Sequence, residues 1–116
     1  MNYYMALLWI IFAHFLADWC LQPPLLTENK GKYWFVMLAH CFSWTGIICI
    51  ALQYTGLLVF WKIPFLLIGH WIMDKYKMDN LIGVDFTTPE GERKMLRLLY
   101  IDQLYHLAQC MAVWAY

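Results

Sequence analysis

Three of the four histidines in this chain stand four residues from an aspartate, as His14/Asp18, His70/Asp74 and Asp102/His106, inside otherwise apolar segments. A spacing of four puts both side chains on one face of a helix. The fourth histidine, His40, lies in the remaining apolar segment. Imidazole nitrogens and carboxylate oxygens are ligands for borderline and hard divalent ions. His14, Asp18, His40, His70, Asp74, Asp102 and His106 are therefore the candidate metal ligands. Shared between two ions, with a carboxylate or water as bridge, they give roughly three protein ligands per ion. A nitrogen and oxygen set fits Zn, Mn or Fe better than Cu(I). The three carboxylates, Asp18, Asp74 and Asp102, are also the candidate catalytic groups, because a divalent ion beside a carboxylate is the usual apparatus for activating water.

Other polar residues extend the same faces. Gln22 follows Asp18 by four, Lys77 follows Asp74 by three, and Gln103 adjoins Asp102. With Lys30 they are the candidate substrate-binding residues, suited to a phosphate or a lipid headgroup. Lys30, Lys75, Arg93 and Arg97 ring one end of the helices. Cationic residues flanking apolar segments are also an orientation signal and need no substrate.

The elements that must carry these groups are helices in a bilayer. The chain has 116 residues, is 63% hydrophobic and only 14% charged, and has a mean hydropathy of +0.52. A water-soluble domain of this length has far more surface to cover with charge. The formal net charge is zero, which excludes a nucleic-acid footprint. Cys20, Cys41, Cys49 and Cys110 form no CxxC pair, fall in apolar segments, and read as small reduced packing residues. The first apolar run has no basic leader and no good cleavage site, so it reads as a retained span.

The expected architecture is an all-α, integral-membrane four-helix bundle in a single domain over residues 1–116. Helices are expected at about 3–21, 32–55, 57–78 and 89–115. The first stops at Pro23-Pro24, the second near Gly56, and the fourth starts at Thr88-Pro89-Glu90, which has the order of an N-cap, an N1 proline and an acidic first turn. The third either begins at Leu57 and kinks at Pro64, or begins at Pro64. His14-Phe-Leu-Ala-Asp18 resembles His70-Trp-Ile-Met-Asp74, so the bundle also reads as two pseudo-repeated hairpins about an axis along the membrane normal. In this frame most of the His and Asp residues fall within ~5–15 Å of one membrane face.

Taken together, His14-x-x-Ala17-Asp18-Trp19-x-Leu21-Gln22, Lys30, His40, His70-x-x-x-Asp74-x-x-Lys77 and Asp102-Gln103-x-x-His106 resemble a family of short integral membrane proteins of bacteria and their phages, a domain of unknown function. The resemblance covers essentially the whole chain and implies a bacterial or phage inner-membrane protein, without implying an activity. A looser similarity is to membrane-bound metal-dependent hydrolases of bacteria.

The expected function is metal-dependent hydrolysis of a phosphoester in a lipid or lipid-linked substrate at the cytoplasmic leaflet, with one or two divalent ions as cofactor. The expected partners are the lipid bilayer and that substrate, and a homo-oligomer is compatible with so short a chain. Two other classes use the same residues: a proton or metal-ion transporter, and a small structural or phage-related membrane factor with a polar core. Seven Lys and Arg residues flank the loops after the first and third helices, and only Lys62 lies on the opposite side. That bias places both loops in the cytoplasm and both termini in the periplasm. A reporter fused after Tyr116 is expected to be active in the periplasm. Activity confined to the cytoplasm refutes the orientation.

Overall fold

A computed structural model describes residues 2–20 and 33–116, with the side chain of Cys20 outside the description. Gln22 and Lys30 also lie outside the described residues. The described chain is all-α, with four helices and no strand. Helix α1 spans Tyr3–Phe15 and continues as a π-helical turn, Leu16–Cys20. Helix α2 spans Trp34–Thr55, α3 Lys62–Leu81 and α4 Pro89–Ala115.

Local chemistry sets the ends of these helices. The Asn2 side chain caps α1 by accepting from the Tyr4 N–H at 2.8 Å. Helix α2 ends at Gly56, whose φ of 78° is open to glycine at no steric cost. The N–H of Gly56 bonds the Gln53 carbonyl and that of Leu57 bonds the Leu52 carbonyl, the paired bonds of a Schellman motif. Pro89 starts α4, and the hydroxyl of Thr88 accepts from the Gly91 N–H at 3.1 Å. The Thr88 hydroxyl also donates to the Asp85 carbonyl at 2.9 Å. A Cβ on Gly91 would collide with that same carbonyl, so the turn into α4 needs glycine there. The carboxyl of Asp85 accepts from the hydroxyl and the N–H of Thr87, which hold it below its usual range.

Helix α3 begins at neither expected position. Lys62 is its first residue, so Pro64 falls within the first turn, where the missing N–H would have had no intrahelical partner. The helix runs as one continuous α-helix of 20 residues, about 30 Å at the standard rise.

Each helix packs antiparallel against its chain neighbour, and α1 closes the ring against α4. Tyr3 stacks on Trp114 with ring centroids 4.4 Å apart, and the Trp114 indole N–H donates to the Tyr3 carbonyl at 2.8 Å. Trp9 meets Tyr54 edge to face at 5.5 Å. The Gln109 amide on α4 donates to the Phe65 carbonyl on α3.

The interior divides into two layers. Toward the chain termini, Ile10, Ile48, Leu52, Leu66, Cys110 and Val113 are fully buried against one another. Toward the connections after α1 and α3, the buried residues include His14, His40, His70, Asp74, Asp102 and His106, among apolar neighbours such as Met37, Met73 and Leu98. Trp44 lies between the layers. Of the described helices, only α2 is both long and apolar enough to cross a membrane; the α1 segment is apolar but shorter.

The cap at Thr88 gives a direct check on this reading of α4. Thr88→Ala removes the acceptor for the Gly91 N–H and is expected to cost about 1 kcal/mol, seen as a lower thermal midpoint, whereas Thr88→Ser retains most of the stability.

Candidate metal centre

Four helices deliver ionisable groups to one buried layer. The π turn at the end of α1 supplies Asp18, α2 supplies His40, α3 supplies His70, Asp74 and Lys77, and α4 supplies Asp102, Gln103 and His106. A π turn inserts an extra residue and rotates the residues after it, a device common at functional sites. Here it separates Asp18 from His14. The two were expected to act as a pair; Gln103 bridges them, taking His14 at its oxygen and donating to Asp18 from its nitrogen.

Three imidazole nitrogens converge with carboxylate oxygens at hydrogen-bond distance. His40 Nε2 lies 2.9 Å from Asp74 Oδ2, 3.5 Å from Asp18 Oδ1 and 2.9 Å from His70 Nε2. His70 Nε2 lies 3.2 Å from Asp74 Oδ2. His106 Nε2 lies 3.0 Å from Asp102 Oδ1 and 3.3 Å from Asp74 Oδ1. Lys77 Nζ lies 3.2 Å from Asp102 Oδ2 and 4.0 Å from Asp74 Oδ1.

Hydrogen-bond logic fixes what several of these atoms can be. Gln109 Nε2 faces the Phe65 carbonyl, which only accepts, so Gln109 Oε1 is the atom 3.1 Å from His106 Nδ1. His106 Nδ1 must then carry the proton. In neutral His106 the bare Nε2 lone pair faces two carboxylate oxygens. Three acceptors aimed at one point require a cation there, a proton or a metal ion. An Nδ1–H bond to an amide carbonyl that leaves Nε2 free is also the way a metal-binding histidine is usually oriented. The donor set thus fits a divalent ion.

Gln103 is fixed in the same way. The Trp19 indole N–H can only donate, so the atom it meets at 3.2 Å is Gln103 Oε1, which also takes His14 Nε2 at 2.9 Å. Gln103 Nε2 then donates to Asp18 Oδ2 and to Asp102 Oδ2, both at 2.9 Å. All four bonds of the amide go to protein groups, and through them Gln103 ties two carboxylates together. Lys77, expected to meet substrate, is held by Asp102 and Asp74.

Among the described residues, three groups have ligand atoms within 4.8 Å of one another: Asp18/His40/His70, His70/Asp74/His106 and Asp18/Asp102/His106. Six of the seven candidate ligands belong to them. His14 belongs to none, because its two nitrogens are engaged elsewhere. The Trp44 indole N–H donates to His14 Nδ1 at 3.0 Å, which puts the proton on Nε2, facing Gln103. His70 differs from His106 in that its Nδ1 has no hydrogen-bond partner. Its ring lies between Trp44, with centroids 4.2 Å apart, and His106, at 4.0 Å.

Sequence reasoning missed Gln109 and Trp44. Each carries a spacing signal, Gln109 three residues after His106 and Trp44 four after His40, on the same helix faces. Gly69 completes the arrangement, since a Cβ there would strike the Gln109 amide.

Fold and site together define an all-helical bundle that encloses a buried His/Asp cluster at metal-binding distance. The chain belongs to the family described as a protein of unknown function (DUF3307), which matches residues 6–116. No curated protein and no solved structure matches the chain.

Gln109→Leu leaves the His106 Nδ1–H without its acceptor. Divalent-ion affinity, measured by titration of the purified protein, is expected to fall about 10–100-fold with the fold retained. Unchanged affinity removes Gln109 from the centre.

Proposed function

We propose that the protein is a multi-pass membrane hydrolase of the bacterial inner membrane, with a divalent-metal centre acting on a phosphoester of a lipid or lipid-linked substrate. The observation that carries this reading is the convergence of the His40, His70 and His106 Nε2 atoms with three aspartates in the interior of an otherwise apolar molecule.

Membrane embedding rests on an inversion of the usual burial pattern. Leu8, Phe12, Phe42, Ile50, Ile72 and Leu104 are more than half exposed, while His70, Asp74, Asp102 and His106 are fully buried. Water would oppose both halves of that distribution, whereas hydrocarbon opposes neither. Helices α3 and α4 fall short of span-like apolarity partly because of residues turned into the bundle: Asp74 and Lys77 on α3, and Asp102 on α4. The charged first turns of α4, with Glu90, Glu92, Arg93, Lys94 and Arg97, suit the headgroup region on the positively charged, cytoplasmic side. Asp18 and Asp74 take corresponding places between the other two helices, which supports two pseudo-repeated hairpins.

A lipid-linked substrate accords with an apolar groove of about 390 Å³ between α1 and α2, lined among others by Phe12, Ala13, Leu16 and Ile50. Ala13 and Leu16 flank His14 and precede Asp18, so an acyl chain lying there brings its headgroup toward the carboxylate layer. When bound, a divalent ion polarises a phosphoryl oxygen and acidifies water. The residues of this chain hold that chemistry in place: Gln103 fixes Asp18 and Asp102, Gln109 fixes His106, and Asp74 spans the two sides of the cluster. A carboxylate freed of its hydrogen bonds on substrate entry is placed to take a proton from water.

Asp74→Asn tests the reading, because a neutral amide is a poor ligand for these ions while the side-chain shape is nearly kept. The variant is expected to reach the membrane and remain monodisperse in detergent, yet to lose bound metal and metal-dependent release of phosphate from lipid phosphoesters. Retention of metal and activity by Asp74→Asn overturns the hydrolase reading. Wild-type protein that takes up no metal leaves the polar layer as packing alone.

A further inference from the structure

Each imidazole offers one nitrogen to the cluster and can serve one ion, whereas a carboxylate has two oxygens and can serve two. This distinction decides which of the three ligand groups are compatible. His70/Asp74/His106 shares an imidazole with each of the other two, while Asp18/His40/His70 and Asp18/Asp102/His106 share only Asp18. Two ions can be held at once only with one at His40/His70 and the other at Asp102/His106. Asp74 spans the same gap, with Oδ2 facing His40 and His70 and Oδ1 facing His106.

The two positions are not equal. The Lys77 ammonium stands against the second one, 3.2 Å from Asp102 Oδ2 and 4.0 Å from Asp74 Oδ1, and its side chain is almost wholly buried. Against three carboxylates, this ammonium and the proton that His106 Nε2 carries between Asp74 and Asp102 when no ion sits there leave one negative charge, which one divalent ion more than offsets. A second divalent ion beside the ammonium adds uncompensated positive charge where screening is weak.

We propose that Lys77 is a built-in cation at the Asp102/His106 position. It limits the native centre to one divalent ion, held by His40, His70, Asp74 and Asp18, and a second ion enters only when the ammonium is removed or swung away. This rests on the metal reading above and adds to it how occupancy is controlled. A lysine that leaves Asp102 when an anionic phosphate arrives couples substrate entry to the charge of the centre, because the phosphate supplies the countercharge that the ammonium then follows.

The test is ion stoichiometry. Wild-type protein, Lys77→Arg and Lys77→Gln, purified in detergent, are loaded with Mn²⁺, dialysed and analysed for metal per chain and by electron paramagnetic resonance. Wild type and Lys77→Arg are expected to hold one isolated ion, and Lys77→Gln two magnetically coupled ions. If Lys77→Gln is not monodisperse, Lys77→Met carries the same expectation, and the wild-type binding isotherm must still show a single tight step. Two ions in wild type, or one ion in the uncharged variants, overturn the role of Lys77 and leave the metal reading standing. No ion in wild type overturns both.

Discussion

Carboxylates buried among helices must be met by positive charge or by hydrogen-bond donors, and the interior of this bundle is organised by that requirement. Asp18 is met by His40 and Gln103, Asp74 by three imidazoles and Lys77, and Asp102 by His106, Lys77 and Gln103. Leaving any one of them without a partner costs several kcal/mol in a low-dielectric interior, more than a surface ion pair returns. The donors come from α2, α3 and α4, and the carboxylates from the end of α1, from α3 and from α4. The antiparallel ring is therefore the arrangement in which the carboxylates can be satisfied together, and not simply a way to pack apolar side chains.

The groups around the cluster obey the same constraint. An amide that donates to two carboxylates needs donors at its oxygen to fix its orientation, and Trp19 and His14 supply them to Gln103. A histidine that turns Nε2 to the cluster needs an acceptor at Nδ1, and Gln109 supplies it to His106. Gln109 in turn needs room on α3, which Gly69 leaves by having no Cβ. Polar groups become more strongly committed with each bond in such a chain, since a half-satisfied network is worse than an apolar core. The π turn at Leu16–Cys20 belongs to this chain as well, because it carries Asp18 to the face where His40 and Gln103 meet it.

Much of this was legible in the amino-acid sequence. Pairs at a spacing of four marked the inward faces of α3 and α4, and Asp74 and Asp102 both lie against His106, which the spacing alone reaches only for Asp102. The ends at Gly56 and Thr88-Pro89 came from turn and cap chemistry. His14 shows where spacing stops being informative. Its pair with Asp18 presumes α-helical geometry across Phe15 and Leu16, and a π turn has no composition signal that would warn of the change. The start of α3 was expected at Leu57 with a kink at Pro64, or at Pro64 itself; it falls at Lys62, with Pro64 third, a place that local propensity does not single out because the whole first turn tolerates proline. The roles of Gln103, Lys77 and Gln109 depend on which atoms face them across the bundle, so they became visible only once the helices were placed together.

The division of the interior into layers bears on what kind of function the cluster suits. A transport pathway needs polar groups at successive depths, so that an ion or proton always has a next partner. Here the polar groups stop at Trp44 and Gln109. Ile10, Ile48, Leu52, Leu66 and Val113 fill the bundle beyond them with no exposed surface. Lys62, at the far end of α3, is separated from His70 by the layer containing Leu66, and its ammonium is bonded to the Leu57 carbonyl at 2.6 Å. The described interior thus closes on one side and gathers its charge toward the other, next to the cationic ends of α3 and α4. A polar layer backed on one side by close-packed aliphatic side chains accords with the proposed reactant entering and leaving from the other side. That division accords with the proposed chemistry on a substrate, since the aliphatic layer offers a migrating ion or proton no next partner.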